Sequence, residues 1–251
     1  MYSLRRIVRA MSWFLYGTAA QRRRVRQECA RMAAGIFGDF PLSEDHKLWR
    51  FDKEFLATYR RLSPKNPYSQ DRKYLLREMV RFARRVPGAL AECGCYEGAS
   101  AYFMAKERPE VSVHLFDSFE GLSEPNELDR TRSGEIRMWL EGDLKTSEHK
   151  TRMNLREFSN VVIHRGWIPS VLQEAEDERF CFLHIDVDIY QPTLDSLRFF
   201  YPRMNPGGVI VLDDYGFVTC PGAFRAVAEF MVDKSECVIH SPTGQGIIII
   251  R

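Results

Sequence analysis

Apolar positions along this chain come in two textures. Residues 1 to about 70 are irregular and helical in character, with a basic run at Arg22-Arg23-Arg24-Val25-Arg26, and Ser63-Pro64-Lys65-Asn66-Pro67 breaks the pattern as a turn or short linker. From about Tyr74 onward, short apolar runs alternate with longer mixed ones. Leu75 to Val86 reads as a helix, Ala89 to Gly94 as a buried strand, Ala99 to Lys106 as a helix and Val111 to Asp117 as a second strand. Val161 to His164, Phe180 to Ile185 and Gly208 to Leu212 supply three more strands. Helices are expected over Pro192 to Tyr201, with proline at a tolerated first-turn position, and over Ala223 to Val232. Cys237 to His240 and Ile247 to Ile250 are joined by a short Ser-Pro-Thr-Gly-Gln-Gly loop and read as an antiparallel hairpin.

Unbroken apolar strands alternating with helices imply a parallel sheet covered on both faces. The expected fold is therefore α/β: a seven-stranded, mostly parallel sheet ending in an antiparallel strand. An N-terminal helical extension or lid, residues 1–70, precedes the sheet domain, residues 71–251.

Composition narrows the class. The 251 residues include 36 basic and 34 acidic side chains, a formal charge of +2, which argues against a dedicated nucleic-acid binder. A hydrophobic share of 45% is ample for a core, while no apolar run approaches the ~20 residues of a membrane span. The N-terminus lacks a long apolar stretch and a small-residue cleavage site, so no signal peptide is expected. Six scattered cysteines, several in core strands, fit free thiols in a reducing, cytoplasmic setting; the pair Cys93-x-Cys95 reads as core thiols.

The candidate chemistry lies just past the strands. Glu92-Cys93-Gly94-Cys95-Tyr96-Glu97-Gly98 runs from a strand through a glycine turn into a helix, and it lacks the full dinucleotide fingerprint. An acid before the first glycine suits a cationic ligand end better than a pyrophosphate. Asp117 closes the second strand, where an acid can accept ribose hydroxyls. Asp186 and Asp188 follow the fourth strand, and Asp213 and Asp214 follow the fifth. Four carboxylates crowded at one sheet end repel one another unless a cation or shared protons relieve them. An all-oxygen set points to Mg²⁺, with Ca²⁺ or Mn²⁺ as alternatives. Trp167, in Arg165-Gly166-Trp167-Ile168-Pro169, offers either a stacking face or a core aromatic at a helix start. His164, His184 and His240 read as satisfied polar groups in strands.

These motifs, with Phe116 to Leu122, Gly142-Asp143-Leu144, His184 to Tyr190 and Leu212-Asp213-Asp214-Tyr215 in order, resemble the TylF/MycF (macrocin) O-methyltransferase family from about residue 70 to the end. The resemblance implies a class I, Rossmann-like methyltransferase fold and S-adenosylmethionine as methyl donor. It also implies Mg²⁺ and a hydroxyl acceptor on a sugar or glycosylated small molecule. Asp186, Asp213 and Asp214 fall on the family's metal ligands and Asp188 on its general base, with Asp186 at the reacting centre beside it. The donor-binding set becomes Glu92, Gly94, Tyr96, Ser100, Asp117, Ser118, Gly166, Trp167 and Asp186. Relatives also imply a homo-oligomer, while charge balance and hydropathy lead us to expect no nucleic-acid partner and no stable membrane insertion. A lysine base after the first metal aspartate, as in the catechol enzymes, has no counterpart here, because Ile189 stands at that position. Glu124 to Glu141 is expected to be a flap over the site. The rival readings are a methyltransferase for a non-sugar vicinal diol, a nicotinamide-dependent oxidoreductase, a metal-dependent hydrolase and a scaffold using its basic N-terminus.

Overall fold

The computed structural model describes residues 11–18, 21–22, 25–26, 29, 47–64, 66, 69–130 and 139–251. Arg23 and Arg24 of the basic N-terminal run and the middle of the expected flap, 131–138, lie outside the described residues. The chain divides into two compact units, Met1–Lys53 and Glu54–Arg251. In the first, the described residues form a helical stretch at 11–16 and a 3-10 turn at Leu48–Phe51. None of the helices among the described residues is long and apolar enough to cross a membrane.

The second unit begins earlier than the break near residue 64 suggests. Helix α1 (Lys53–Leu62) packs into it through Phe55, whose ring lies 5.0 Å from Phe103 and 5.2 Å from Tyr74. Then follow α2 (Gln70–Phe82), β1 (Ala89–Cys93), α3 (Ala99–Glu107), β2 (Val113–Asp117), α4 (Glu148–Leu155), β3 (Val161–Arg165), β4 (Phe180–Ile185), α5 (Tyr190–Phe200), β5 (Met204–Leu212), α6 (Pro221–Phe230), β6 (Ile239–His240) and β7 (Gly246–Ile249). Seven strands form one sheet in the order β3-β2-β1-β4-β5-β7-β6. The pairs β1–β2, β1–β4, β2–β3 and β4–β5 are parallel, and β7 runs antiparallel to both β5 and β6.

Strand character follows position. β1 and β4 are central and buried at every residue, which is why their sequences are continuous apolar runs rather than alternating ones. β3 lies at the edge, and its burial is broken. Phe116, Phe180 and Phe200 stack edge to face in the core, with centroids 5.0–5.6 Å apart.

Among the elements that differ from the pattern-based expectation, two bear on the site. α2 starts at Gln70 instead of Leu75 and passes into a 3-10 turn at Ala83–Arg85; its first turn is held by ion pairs to the far end of the sheet, described below. α4 was not expected at all, because Glu148 to Leu155 is polar on nearly every face. Tertiary bonds hold it instead: Thr151 Oγ1 donates to the Tyr96 carbonyl at 2.6 Å, and Asn154 Nδ2 to the Glu97 carbonyl at 2.8 Å.

A polar pair sits within this core. His114 Nδ1 and His164 Nε2 are 3.0 Å apart, and His164 Nδ1 meets Glu174 at 2.7 Å. Burial, and then the neighbouring His164, push the His114 pKa down. A histidine whose folded pKa lies below its unfolded value is penalised once the unfolded chain takes up protons. Its contribution to stability is thus lost as pH falls through about 6.5. Chemical denaturation at pH 7.5 and 5.5 should show a steeper loss for the wild type than for His114→Phe. Equal slopes would exclude this role.

Candidate active site

The topology places the ends of β1, β2, β4 and β5 together, and β1 and β4 are neighbours whose chain connections leave in opposite directions. Ligands bind in the crevice at such a switch point. A pocket opens there, lined by Gly94, Tyr96, Asp117, Ser118, Leu122, Gly166, Trp167, Asp186, Asp188 and their neighbours.

The first turn of the pocket follows from β1. Gly94 has φ +81°, and a Cβ there would lie 1.9 Å from the Asp186 carbonyl oxygen. Glycine is thus required by the close passage of the β4 end, which bonds back through Asp186 N–H to the Cys93 carbonyl at 2.9 Å. Asp117, at the end of β2, ties the turn down: its Oδ2 accepts from Tyr96 N–H at 2.9 Å and its Oδ1 from Phe119 N–H at 2.7 Å. Cys95 also bonds to this carboxylate, which nonetheless lines the pocket. Trp167 is 46% exposed, so it is a pocket-wall aromatic rather than a core one.

Two members of the expected donor set lie elsewhere. Ser100 is buried within α3. Glu92 is 1% exposed and is not among the residues lining the pocket, with Oε1 2.8 Å from His184 Nδ1. Cys93 and Cys95 are buried free thiols.

The acidic end of the sheet is more structured than a cluster of carboxylates. His184 bridges Glu92 and Asp213, its Nε2 3.3 Å from Asp213 Oδ1. That oxygen also accepts from Gln245 Nε2 at 2.7 Å, and Asp213 Oδ2 accepts from Arg72 Nη1. Lys73 Nζ donates to Asp186 Oδ2 at 3.0 Å and stands 3.9 Å from Asp213 Oδ1. Three acidic groups (Glu92, Asp186, Asp213) therefore interleave with three basic ones (His184, Lys73, Arg72). Burial opposes the charge on His184, but its bonds to Asp213 and Glu92 outweigh this and raise its pKa to about 9. Burial likewise opposes charge on Lys73 and is outweighed by Asp186 and Asp213, so its pKa is raised. Asp213 pays the same burial penalty, yet Lys73, His184 and Arg72 hold it far below the ordinary carboxylate range.

Asp188 and Asp214 form the other half. Asp188 has φ +60°, and its N–H donates to Asp214 Oδ2 at 2.9 Å; Cys220 Sγ lies 3.6 Å from Asp188 Oδ1. Burial and then Asp186 raise Asp188 to about 7, and burial and then Asp188 raise Asp214 well above its ordinary value. The potential ligand atoms accordingly fall into two groups, each within 4.8 Å: His184, Asp186 and Asp213, and Asp188, Asp214 and Cys220. The three carboxylates expected to share a metal are thus divided between them.

Sequence reasoning located the acids but not Arg72, Lys73, His184 or Gln245 as their partners. Arg72 and Lys73 precede the helix expected from Leu75, and only the docking of α2 reveals their role.

The strand order, the antiparallel β7 and a pocket walled by a strand-end acid and an exposed tryptophan at the β1/β4 switch point define a class I, S-adenosylmethionine-dependent methyltransferase fold. Within that class the chain belongs to the macrocin-O-methyltransferase (TylF) family, whose sequence model matches residues 70–243. It is 31% identical over 148 residues to 8-demethyl-8-(2,3-dimethoxy-alpha-L-rhamnosyl)-tetracenomycin-C 4'-O-methyltransferase of Streptomyces olivaceus, covering 55% of this chain and 57% of that protein. It is also 31% identical over 157 residues to demethyldecarbamoylnovobiocin O-methyltransferase of Streptomyces niveus, covering 58% of each. The matches thus span little more than half the length of these relatives. Among solved structures, the O-methyltransferase NovP superposes with a TM-score of 0.60 at 26% identity, covering 71% of this chain and 79% of that one.

Proposed function

We propose that this chain transfers the methyl group of S-adenosylmethionine to a hydroxyl of a sugar or glycosylated small molecule. The observation that carries the reading is one pocket holding both a donor wall, Asp117 and Trp167, and a buried carboxyl, Asp188. The names of the relatives, both O-methyltransferases and one of them for a rhamnosyl compound, support the acceptor class.

The donor fits the residues present. Asp117 presents its carboxylate at the pocket for ribose hydroxyls, and Trp167 offers an exposed ring face to a purine. When bound, the donor supplies an electrophilic methyl on a sulfonium. The protein then has to orient the acceptor hydroxyl and take its proton. Asp188 is the group for this step: it lines the pocket, and the bond from its N–H to Asp214 fixes its turn.

Magnesium, which the resemblance implies, does not fit the carboxylates as they stand. Asp213 already accepts from Arg72, His184 and Gln245, and Asp186 accepts from Lys73. An ion bound to both would strip Arg72 and Lys73 of their partners, and breaking a buried ion pair costs about 3–5 kcal/mol. No step is therefore routed through a metal.

Calorimetric titration of the full chain with S-adenosylhomocysteine and with NAD tests the donor. Binding of the first alone is expected, followed by label transfer from methyl-labelled donor to a glycoside panel. Binding of NAD alone would overturn the reading in favour of an oxidoreductase.

A further inference from the structure

We propose that this chain carries its own counter-cation: Arg72 and Lys73, from the first turn of α2, fill the place among Asp186 and Asp213 that a divalent ion would otherwise take. The proposal rests on the methyl-transfer reading only for what the site is used for.

The observations are geometric. Lys73 Nζ lies between two carboxylates, 3.0 Å from Asp186 and 3.9 Å from Asp213, with its side chain 10% exposed. Arg72 is anchored on three sides: by Asp213, by Ser69 Oγ at 2.8 Å, and by the Phe217 ring, 4.9 Å from its guanidinium carbon. A surface arginine folding over by chance would not be fixed from a helix turn, a strand end and a loop aromatic together. Asp213, fully buried, accepts from Arg72, His184 and Gln245, which takes both lone pairs of Oδ1 and one of Oδ2. Little acceptor capacity is left on it for an ion. Magnesium in particular requires near-octahedral oxygen ligands at about 2.0–2.1 Å and dehydrates reluctantly, so it competes poorly against an ammonium already in place.

In this arrangement Arg72 and Lys73 are positioning residues. They hold Asp186 and Asp213 at the strand ends, and with them the backbone that Gly94 and Asp188 sit against. They also leave Asp188 and Asp214 as the acids of the cluster to which no basic side chain bonds among the described residues.

The test measures metal binding directly and needs no turnover. EDTA-treated, dialysed full-length chain is titrated with MnCl₂ and free ion is followed by electron paramagnetic resonance. Wild type is expected to bind with a dissociation constant above roughly 1 mM, or at a site that Asp186→Asn does not disturb. Lys73→Met removes a positive charge and opens the space, and should bind Mn²⁺ at least about tenfold more tightly, with Asp186→Asn in that background abolishing the gain. A merely structural lysine would lower stability without creating an ion site. Tight stoichiometric Mn²⁺ binding by wild type that Asp186→Asn removes would overturn the proposal, and this arm does not depend on any Lys73 variant folding. A folded Lys73→Met chain with no gain would overturn it as well. S-adenosylhomocysteine binding, measured on the same samples, separates the two readings: its absence sinks the methyltransferase assignment while leaving the counter-charge result standing.

Discussion

Asp188→Asn is expected to lower kcat by roughly 10²–10⁴-fold, the usual worth of a positioned general base, while leaving S-adenosylhomocysteine affinity within about threefold of wild type. Asparagine makes the substitution clean. It is among the few residues other than glycine that tolerate the left-handed conformation recorded at this position, φ +60°. The backbone N–H that donates to Asp214 is untouched. The substitution also removes one of two acids crowded together without a basic partner, so folding should not suffer. Single-turnover methyl transfer with donor saturating, alongside calorimetry, separates chemistry from binding. Turnover near the wild-type level would remove Asp188 from the proton-transfer role and leave the acid cluster purely structural.

Gly94→Ala should be the most damaging single methyl in the molecule. Two costs add. A residue with a Cβ held at φ +81° loses roughly 1–2 kcal/mol. The new Cβ would also stand 1.9 Å from the Asp186 carbonyl oxygen, backbone that cannot rotate away. Relieving such overpacking typically costs another 1–3 kcal/mol. Together these take about 2–5 kcal/mol from a stability of roughly 5–15 kcal/mol for a domain of this kind. The midpoint of thermal unfolding should drop by about 10 °C. Donor affinity should fall too, because relief of the clash moves β1 away from β4 at the switch point itself. Thermal unfolding and S-adenosylhomocysteine titration check both halves. An alanine variant that melts with the wild type would mean that the two strand ends do not pass as closely as the structure has them.

Much of the site was legible because of one rule of parallel sheets. Apolar strands buried on both faces are visible as unbroken runs, and the first polar residues after them must lie at the sheet's carboxyl edge. Asp117, Asp186, Asp188, Asp213 and Asp214 were found in that way, and so was the Gly94 turn. The antiparallel hairpin was visible from the loop between its two strands. α4 was not, because a helix held by Thr151 and Asn154 against a neighbouring turn needs no apolar stripe. The reading of Trp167 stayed open until its exposure placed it on the pocket wall.

Local pattern determined which residues reach the strand ends, since period and burial are properties of short stretches. It could not determine what those residues meet there. Arg72 is 141 positions from Asp213, Lys73 is 113 from Asp186, and Gln245 approaches Asp213 from the hairpin loop. Counted along the chain, the sheet end has four acids and calls for a metal. In three dimensions α2 brings two cations to it and β4 a histidine. The charge balance of a buried cluster depends on every element that packs over it, so only the tertiary structure divided the acids between a neutralised pair, Asp186 and Asp213, and the pair Asp188 and Asp214, of which Asp188 lines the pocket.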